Sequence, residues 1–184
     1  PMLQRAEKHL RELGLKNVEL CNDDISKMES VGDGSIDEVI STMALHHLPD
    51  VKFLESTFVE IARVLKPNGG IYLADFGHLR SEKSIEYFAY QYAERQPELF
   101  TLDYLYSLRA AFSLDDFQKA SAVLSGHVRV YSTFGFPCMV FVKRSWRRTK
   151  DPELSKARML SPSELPNHHQ KQLTDLMILF RLVR

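Results

Sequence analysis

An α/β fold, with a mostly parallel sheet closed by a terminal antiparallel hairpin, is predicted by three features of the sequence. Residues 36–42, 51–65 and 71–75 alternate strand, helix and strand patterns with short joints, the rhythm of parallel pairing. Residues 128–132 and 136–143 are two strand-like runs joined by Thr133, Phe134 and Gly135, as in a hairpin. The 184 residues are 44% hydrophobic and 26% charged, which supports a packed core and excludes a disordered or collagen-like chain.

The elements follow in order. Residues 2–13 predict a helix, because Leu3, Ala6, Leu10 and Leu13 recur at spacings of three and four. Gly14 suits its C-terminal cap, and Pro1 suits a first helical position. Residues 17–21 (NVELC) predict a short strand, followed by a polar loop ending in Gly32, Asp33 and Gly34. The next strand covers residues 36–42 (IDEVIST), and the helix at 51–65 sets Leu54, Phe58, Ile61 and Leu65 on one face. Lys66, Pro67, Asn68, Gly69 and Gly70 predict a turn that ends this helix, since Pro cannot continue it and Gly tolerates positive φ. A strand at 71–75 follows at once. Residues 81–95 and 101–112 are helical and aromatic, and Ser113 with Asp116 opens a further helix. Past the hairpin, residues 147–184 predict a basic, Pro-punctuated linker and an amphipathic helix at 167–182. That helix buries Leu173, Leu176, Met177, Phe180 and Val183 against the domain or a partner.

Lys and Arg together number 24, as do Asp and Glu, so the net charge is zero with His neutral. This balance argues against a chain that chiefly binds nucleic acid. The longest apolar stretches, at 136–142 and 176–180, are far too short to span a bilayer. Two cysteines, Cys21 and Cys138, exclude a disulfide scaffold and suit the reducing cytoplasm. The first helix is charged and amphipathic, unlike a secretory signal. Charge is nevertheless uneven: residues 22–38 are acidic apart from Lys27, and residues 143–158 are mostly basic. The basic run reads either as a solvated exit from the domain or as a contact for an anionic surface.

In an open parallel sheet, ligands bind beyond the carboxyl ends of the strands. Three loops start at such ends here, at Asn22, Thr42 and Asp75, and they concentrate acids and histidines at one edge. Asp24 is placed to accept from an exocyclic amine while the backbone of Ile25 faces an adjacent ring nitrogen, the way a small site reads adenine. A loop-capping role for Asp24 is the alternative. His46 and His47 do not suggest a metal site, because neighbours on a helix start point about 100° apart and no third ligand follows. Either could act as a general base near neutrality, or simply cap the following helix. His168 and His169 carry a weaker signal still. Neither cysteine has a neighbouring His in sequence to activate it. No Gly-rich phosphate loop is present, since Gly69 and Gly70 lead into a strand.

The segments NVELCNDDI, SIDEVISTMALHHLPD and FVEIARVLKPNGGIYLAD together resemble the class I S-adenosylmethionine-dependent methyltransferases, in particular their UbiE-like, type 11 branch. The resemblance runs over about residues 2–144. It implies a Rossmann-like methyltransferase sheet with S-adenosyl-L-methionine as cofactor and SN2 transfer of a methyl group. It also implies that Asp24 faces the adenine amine, Ile25 contacts the adenine ring, and Thr42 and Met43 line the methionine portion. His47 matches the family's recurrent histidine beside the cofactor, and residues 66–70 match a structural turn. The family's glycine-rich loop and ribose-binding acid would lie upstream of Pro1, so two strands and a helix of the family sheet are missing from these residues. Their absence would leave a gap of about 10 Å between residues 17–21 and 36–42. The chain is therefore expected to be the C-terminal portion of a longer protein, unless a short natural chain begins at Pro1 after loss of an initiator Met.

The resulting organisation is a methyltransferase portion at 1–146, a helical cap at about 79–112, and the linker and helix at 147–184. The cap stands where the family binds its acceptor. Tyr87, Tyr90 and Tyr106 could hold a planar or hydroxylated small molecule, or could be the cap's own core. Methyl transfer depends mainly on alignment, and a base is needed only if the acceptor must lose a proton. His47 is the first candidate and His78 the second. The competing reading is a non-catalytic methyltransferase-like scaffold, with the C-terminal helix as a surface for self-association or a partner. A nicotinamide-dependent dehydrogenase shares the strand–helix rhythm but has no use for the terminal hairpin or for ALHHLPD.

Overall fold

The structure, a computed structural model, describes residues 2–144, 163, 165–167, 169, 170, 173 and 174. The expected linker and most of the expected C-terminal helix lie outside these residues.

Helix α1 (Met2–Glu12) stops where Gly14 takes a φ of +66°, and the Leu15 N–H returns to the Leu10 carbonyl over it. This is a Schellman closure, for which glycine carries no Cβ penalty. The amphipathic pattern makes the helix, yet α1 buries none of its residues. Residues 17–21, expected as a strand, have no regular structure, and Val18 and Leu20 are exposed. A strand needs a ladder partner for its amides and carbonyls. Neither edge of the sheet supplies one to these residues.

Four strands form the sheet, in the order β1-β2-β4-β3. Strand β1 (Ile36–Thr42) runs parallel to β2 (Leu65–Phe76), with Val39 opposite Ile71 and Thr42 opposite Ala74. Helix α2 (Val51–Val64) makes the crossover between them. Asp50 caps it by accepting from the Lys52 and Phe53 amides. Buried Leu54, Phe58 and Ile61 lie along one face, as their spacing predicts.

The expected turn at residues 66–70 does not separate helix from strand. Strand β2 already pairs at Leu65, then bulges before Gly70 meets Glu38, with Asn68 at a φ of +66°. A bulge adds residues to one strand without ending its pairing. The strand expected at 71–75 is thus the second part of a longer one. The terminal hairpin matches expectation: β3 (Arg129–Ser132) pairs antiparallel with β4 (Met139–Arg144), and β4 pairs antiparallel with β2.

One core lies between the sheet and helices α2 and α5 (Leu114–Ser121). It joins Leu54, Phe58 and Ile61 to Ile71, Leu73, Phe117 and Val142. Each such side chain contributes about 1.5–3 kcal/mol by burial. A second core sits beneath the cap of α3 (Glu82–Tyr90) and α4 (Glu98–Ala110), from Leu79, Ile85, Ala89, Leu105 and Leu108. The aromatic stretch expected as one helix over 81–95 is divided into α3 and a 3-10 turn at Ala93–Arg95. Pro97 disfavours helix at Gln96, which is extended, and α4 starts directly after it. No helix among the described residues is long and apolar enough to cross a membrane.

Candidate active-site crevice

Because β1 and β2 are parallel, the loops leaving them emerge at the same edge. Their junction is organised by Asp75, next to last in β2 and only 1% exposed. Its Oδ2 accepts from the Ala44 amide at 2.9 Å and the Leu45 amide at 2.6 Å. Its Oδ1 accepts from the Phe76 amide at 2.7 Å and lies 2.6 Å from Nδ1 of His46, itself 3% exposed. An ionised carboxylate only accepts, so Nδ1 of His46 carries the proton in this pair. Three backbone amides and one histidine ring thus converge on one buried side chain, and such a group is costly to bury without these partners.

The loop itself is unusual at Met43, whose φ is +53°. Its N–H still continues the ladder to the Ala74 carbonyl at 2.9 Å. A non-glycine residue in the left-handed region costs about 1–2 kcal/mol, and it is retained only where neighbours over-determine it. Here the next two amides are both held by Asp75. The chain then enters a 3-10 turn at Leu45–His47, where Leu45 fills the main core.

The histidine pair divides. His46 is the buried member, while His47 is exposed with its ring 4.1 Å from that of His46. An aromatic chain runs from His46 to the cap: His46 to Phe76 at 5.0 Å, then Phe76 to Tyr104 at 5.5 Å. Burial pushes the Tyr104 phenol above its ordinary value of 10.0. Thr42 and Met43 are both exposed at the rim. His78 is exposed, and its amide donates to the Phe112 carbonyl at the base of the cap.

Asp24 and Ile25 are also exposed. One Asp24 oxygen, Oδ1, accepts from both the hydroxyl and the amide of Ser26, which holds the carboxyl below its ordinary value of 3.8. Its other oxygen has no hydrogen-bond partner among the described residues. The same loop is tied to the end of α2 by Arg63, which donates to the Met28 and Val31 carbonyls and pairs with Asp33. No hydrogen bond or ring contact joins Asp24 or Ile25 to the Thr42–Met43 rim among the described residues.

The cap tyrosines are not the cap's core. Tyr87, Tyr90 and Tyr106 are 66%, 48% and 61% exposed, and Tyr104 is the tyrosine that packs inward. Among the described residues, no group of three or more His, Cys, Asp or Glu is placed to hold a metal ion.

Sequence reasoning missed Asp75 as a site residue, placing it only at the head of a loop. The available signal was a carboxylate inside an apolar strand, IYLADF, which must find partners if it is buried.

The architecture is that of an α/β domain whose parallel strand ends and α3–α4 helices meet at one edge. The chain belongs to a methyltransferase domain family, whose model matches residues 1–110. No curated protein matches it. Among solved structures, it is similar to the YcgJ protein of Bacillus subtilis, at 22% identity and a TM-score of 0.52. That match covers 72% of this chain and 51% of the other. It is also similar to the PH0226 protein of Pyrococcus horikoshii OT3, at 16% identity and a TM-score of 0.52, covering 78% and 66%. A third is SibL, an S-adenosylmethionine-dependent methyltransferase, at 15% identity and a TM-score of 0.50, covering 79% and 41%. The chain thus spans between two fifths and two thirds of these structures, which share its fold.

Proposed function

We propose that this domain takes part in S-adenosyl-L-methionine-dependent methyl transfer to a small-molecule acceptor. The carrying observation is the strand-end rim, where Asp75 holds a strained, exposed Met43 in one conformation beside an exposed tyrosine-bearing cap. The motifs ALHHLPD and KPNGG support placement in the UbiE-like branch of the family.

The residues present fit the adenosyl end of the cofactor, because Asp24 keeps one carboxylate oxygen exposed and unpartnered for an amine. In this reading Asp24 holds the adenine amine and Ile25 covers the ring. Thr42 and Met43 line the methionine portion. When bound, S-adenosylmethionine supplies a sulfonium-activated methyl group. Tyr87, Tyr90 and Tyr106 hold the acceptor by stacking and by their hydroxyls, and orient it toward the rim. His47, exposed at that rim, takes the acceptor's proton where one must leave, with His78 as the second candidate.

A second reading, a methyltransferase-like scaffold that binds a partner, is favoured by one observation. Helix α1 buries no residue, Val18 and Leu20 are exposed, and Ile40 is exposed on β1, an edge strand of the sheet. Calorimetric titration of the full chain with S-adenosylhomocysteine separates the two. Saturable one-to-one binding supports the transferase, and no binding supports the scaffold. In a chain that binds, Asp24→Ala weakens affinity by about 1–3 kcal/mol, the cost of an unpaired buried amine. Unchanged affinity removes Asp24 from the site.

A further inference from the structure

We infer that Asp75 is a positioning residue for the ligand rim: it sets the Met43–Leu45 backbone in its bound form before any ligand arrives. The inference rests on the proposed cofactor site. It adds a residue that acts through the loop rather than through contact with the ligand.

The geometry carries it. Met43 is left-handed without being glycine, a conformation that persists only under external constraint. The constraint is visible, because the two amides that follow Met43 both donate to Oδ2 of Asp75. The opposite oxygen is anchored by the Phe76 amide and the His46 ring, so the carboxylate cannot rotate to release the loop. The His46 ring packs against both His47 and Phe76, which supports that anchor in turn. A rim held in this way spares the ordering cost that a mobile loop pays on binding.

The chemistry of substitution predicts a graded result. In Asp75→Asn the amide nitrogen can take the Oδ1 place, where His46 can change tautomer and accept from it, although the Phe76 amide then loses its acceptor. The remaining oxygen then still receives the Ala44 and Leu45 amides. Asp75→Ala leaves both amides without an acceptor.

The test uses the full chain and two readouts: hydrogen exchange at the Ala44 and Leu45 amides, and S-adenosylhomocysteine affinity well below the melting temperature. Asp75→Asn should keep both amides protected and stay within about threefold of wild-type affinity, whereas Asp75→Ala should expose them and lose about tenfold or more. Val142→Ala, which makes a cavity where the sheet pairs Leu73 and Val130, is the control for stability loss alone. It should leave affinity and rim protection unchanged. The inference is overturned if Asp75→Ala binds like wild type, or if Val142→Ala loses affinity to the same extent. If Asp75→Ala does not fold, Asp75→Thr, whose single hydroxyl cannot serve both oxygens' partners, replaces it with the same opposing outcomes. No binding by wild-type protein would overturn the cofactor site itself. The exchange of Ala44 and Leu45 would then still report whether Asp75 holds the loop.

Discussion

Gly77→Ala is the substitution whose cost can be worked most directly from the structure. Gly77 follows β2 and donates its amide to the Cys138 carbonyl at 3.0 Å, just beyond the antiparallel pairing of Phe76 with Met139. A Cβ at this position would stand 2.1 Å from the Pro137 carbonyl oxygen and 3.0 Å from a Val140 methyl. Ordinary contact begins near 3.4 Å, so the two backbone segments must part by about 1.3 Å. The obstacle is main chain, which cannot swing aside as the end of a side chain can. Overpacking of this kind costs about 1–3 kcal/mol, and the stretched hydrogen bond adds about 1 kcal/mol. A total of about 3 kcal/mol lowers the Tm of a chain this size by about 6–12 °C. Thermal unfolding followed by circular dichroism measures it. Gly32→Ala is the matched control, because its nearest neighbour is the Ser35 hydroxyl at 4.0 Å and it needs no positive φ. That variant should melt at or slightly above the wild-type temperature. A Gly77→Ala protein melting within about 2 °C of wild type would refute the close approach of the two segments.

Ser113→Ala removes the hydroxyl half of a capping box in which Ser113 and Asp116 satisfy each other's amides. It should cost about 1 kcal/mol in urea unfolding, and Ser113→Thr should recover most of that. Tyr90→Phe should leave S-adenosylhomocysteine affinity unchanged while lowering turnover, if the cap hydroxyl meets the acceptor; unchanged turnover would remove the Tyr90 hydroxyl from the acceptor site. Tyr104 prefers its neutral form in the fold because burial penalises the charged one, with a smaller push from Cys138. A raised folded value means its contribution is fully present below pH 10.0 and is lost as pH rises through the folded value. Ultraviolet titration of wild type against Tyr104→Phe should therefore remove a tyrosine that ionises above the ordinary range. Loss of an early-ionising tyrosine instead would contradict its burial.

Much of the fold was legible because its signals are local. The i, i+3 and i+4 spacing of Leu54, Phe58 and Ile61 determined α2 and its buried face, whereas its cap is Asp50 and not the histidines that the sequence offered. The apolar runs of β1, β3 and β4 were placed to within a few residues. Ser113 announced α5 through chemistry contained in four residues. The Gly and Asn at 66–70 correctly marked a departure from regular backbone. Whether that departure separated the helix from a new strand or bulged within a longer strand depended on pairing with Ile36 and Glu38, some thirty residues away.

Residues 17–21 show the limit most clearly. Their composition suits a strand, but a strand exists only through a partner's hydrogen bonds, and no local pattern reports whether that partner is there. The site has the same character. Sequence indicated which loops cluster at the strand ends and that tyrosines crowd the cap, because those are consequences of order along the chain. It could not distinguish His46 from His47, or show that the cap tyrosines face outward while Tyr104 packs inward. Nor could it single out Asp75, whose partners Ala44, Leu45 and His46 lie about thirty residues back and reach it only once β1 and β2 pair. Burial and long-range hydrogen bonding are properties of the folded arrangement, so the tertiary structure alone decided them.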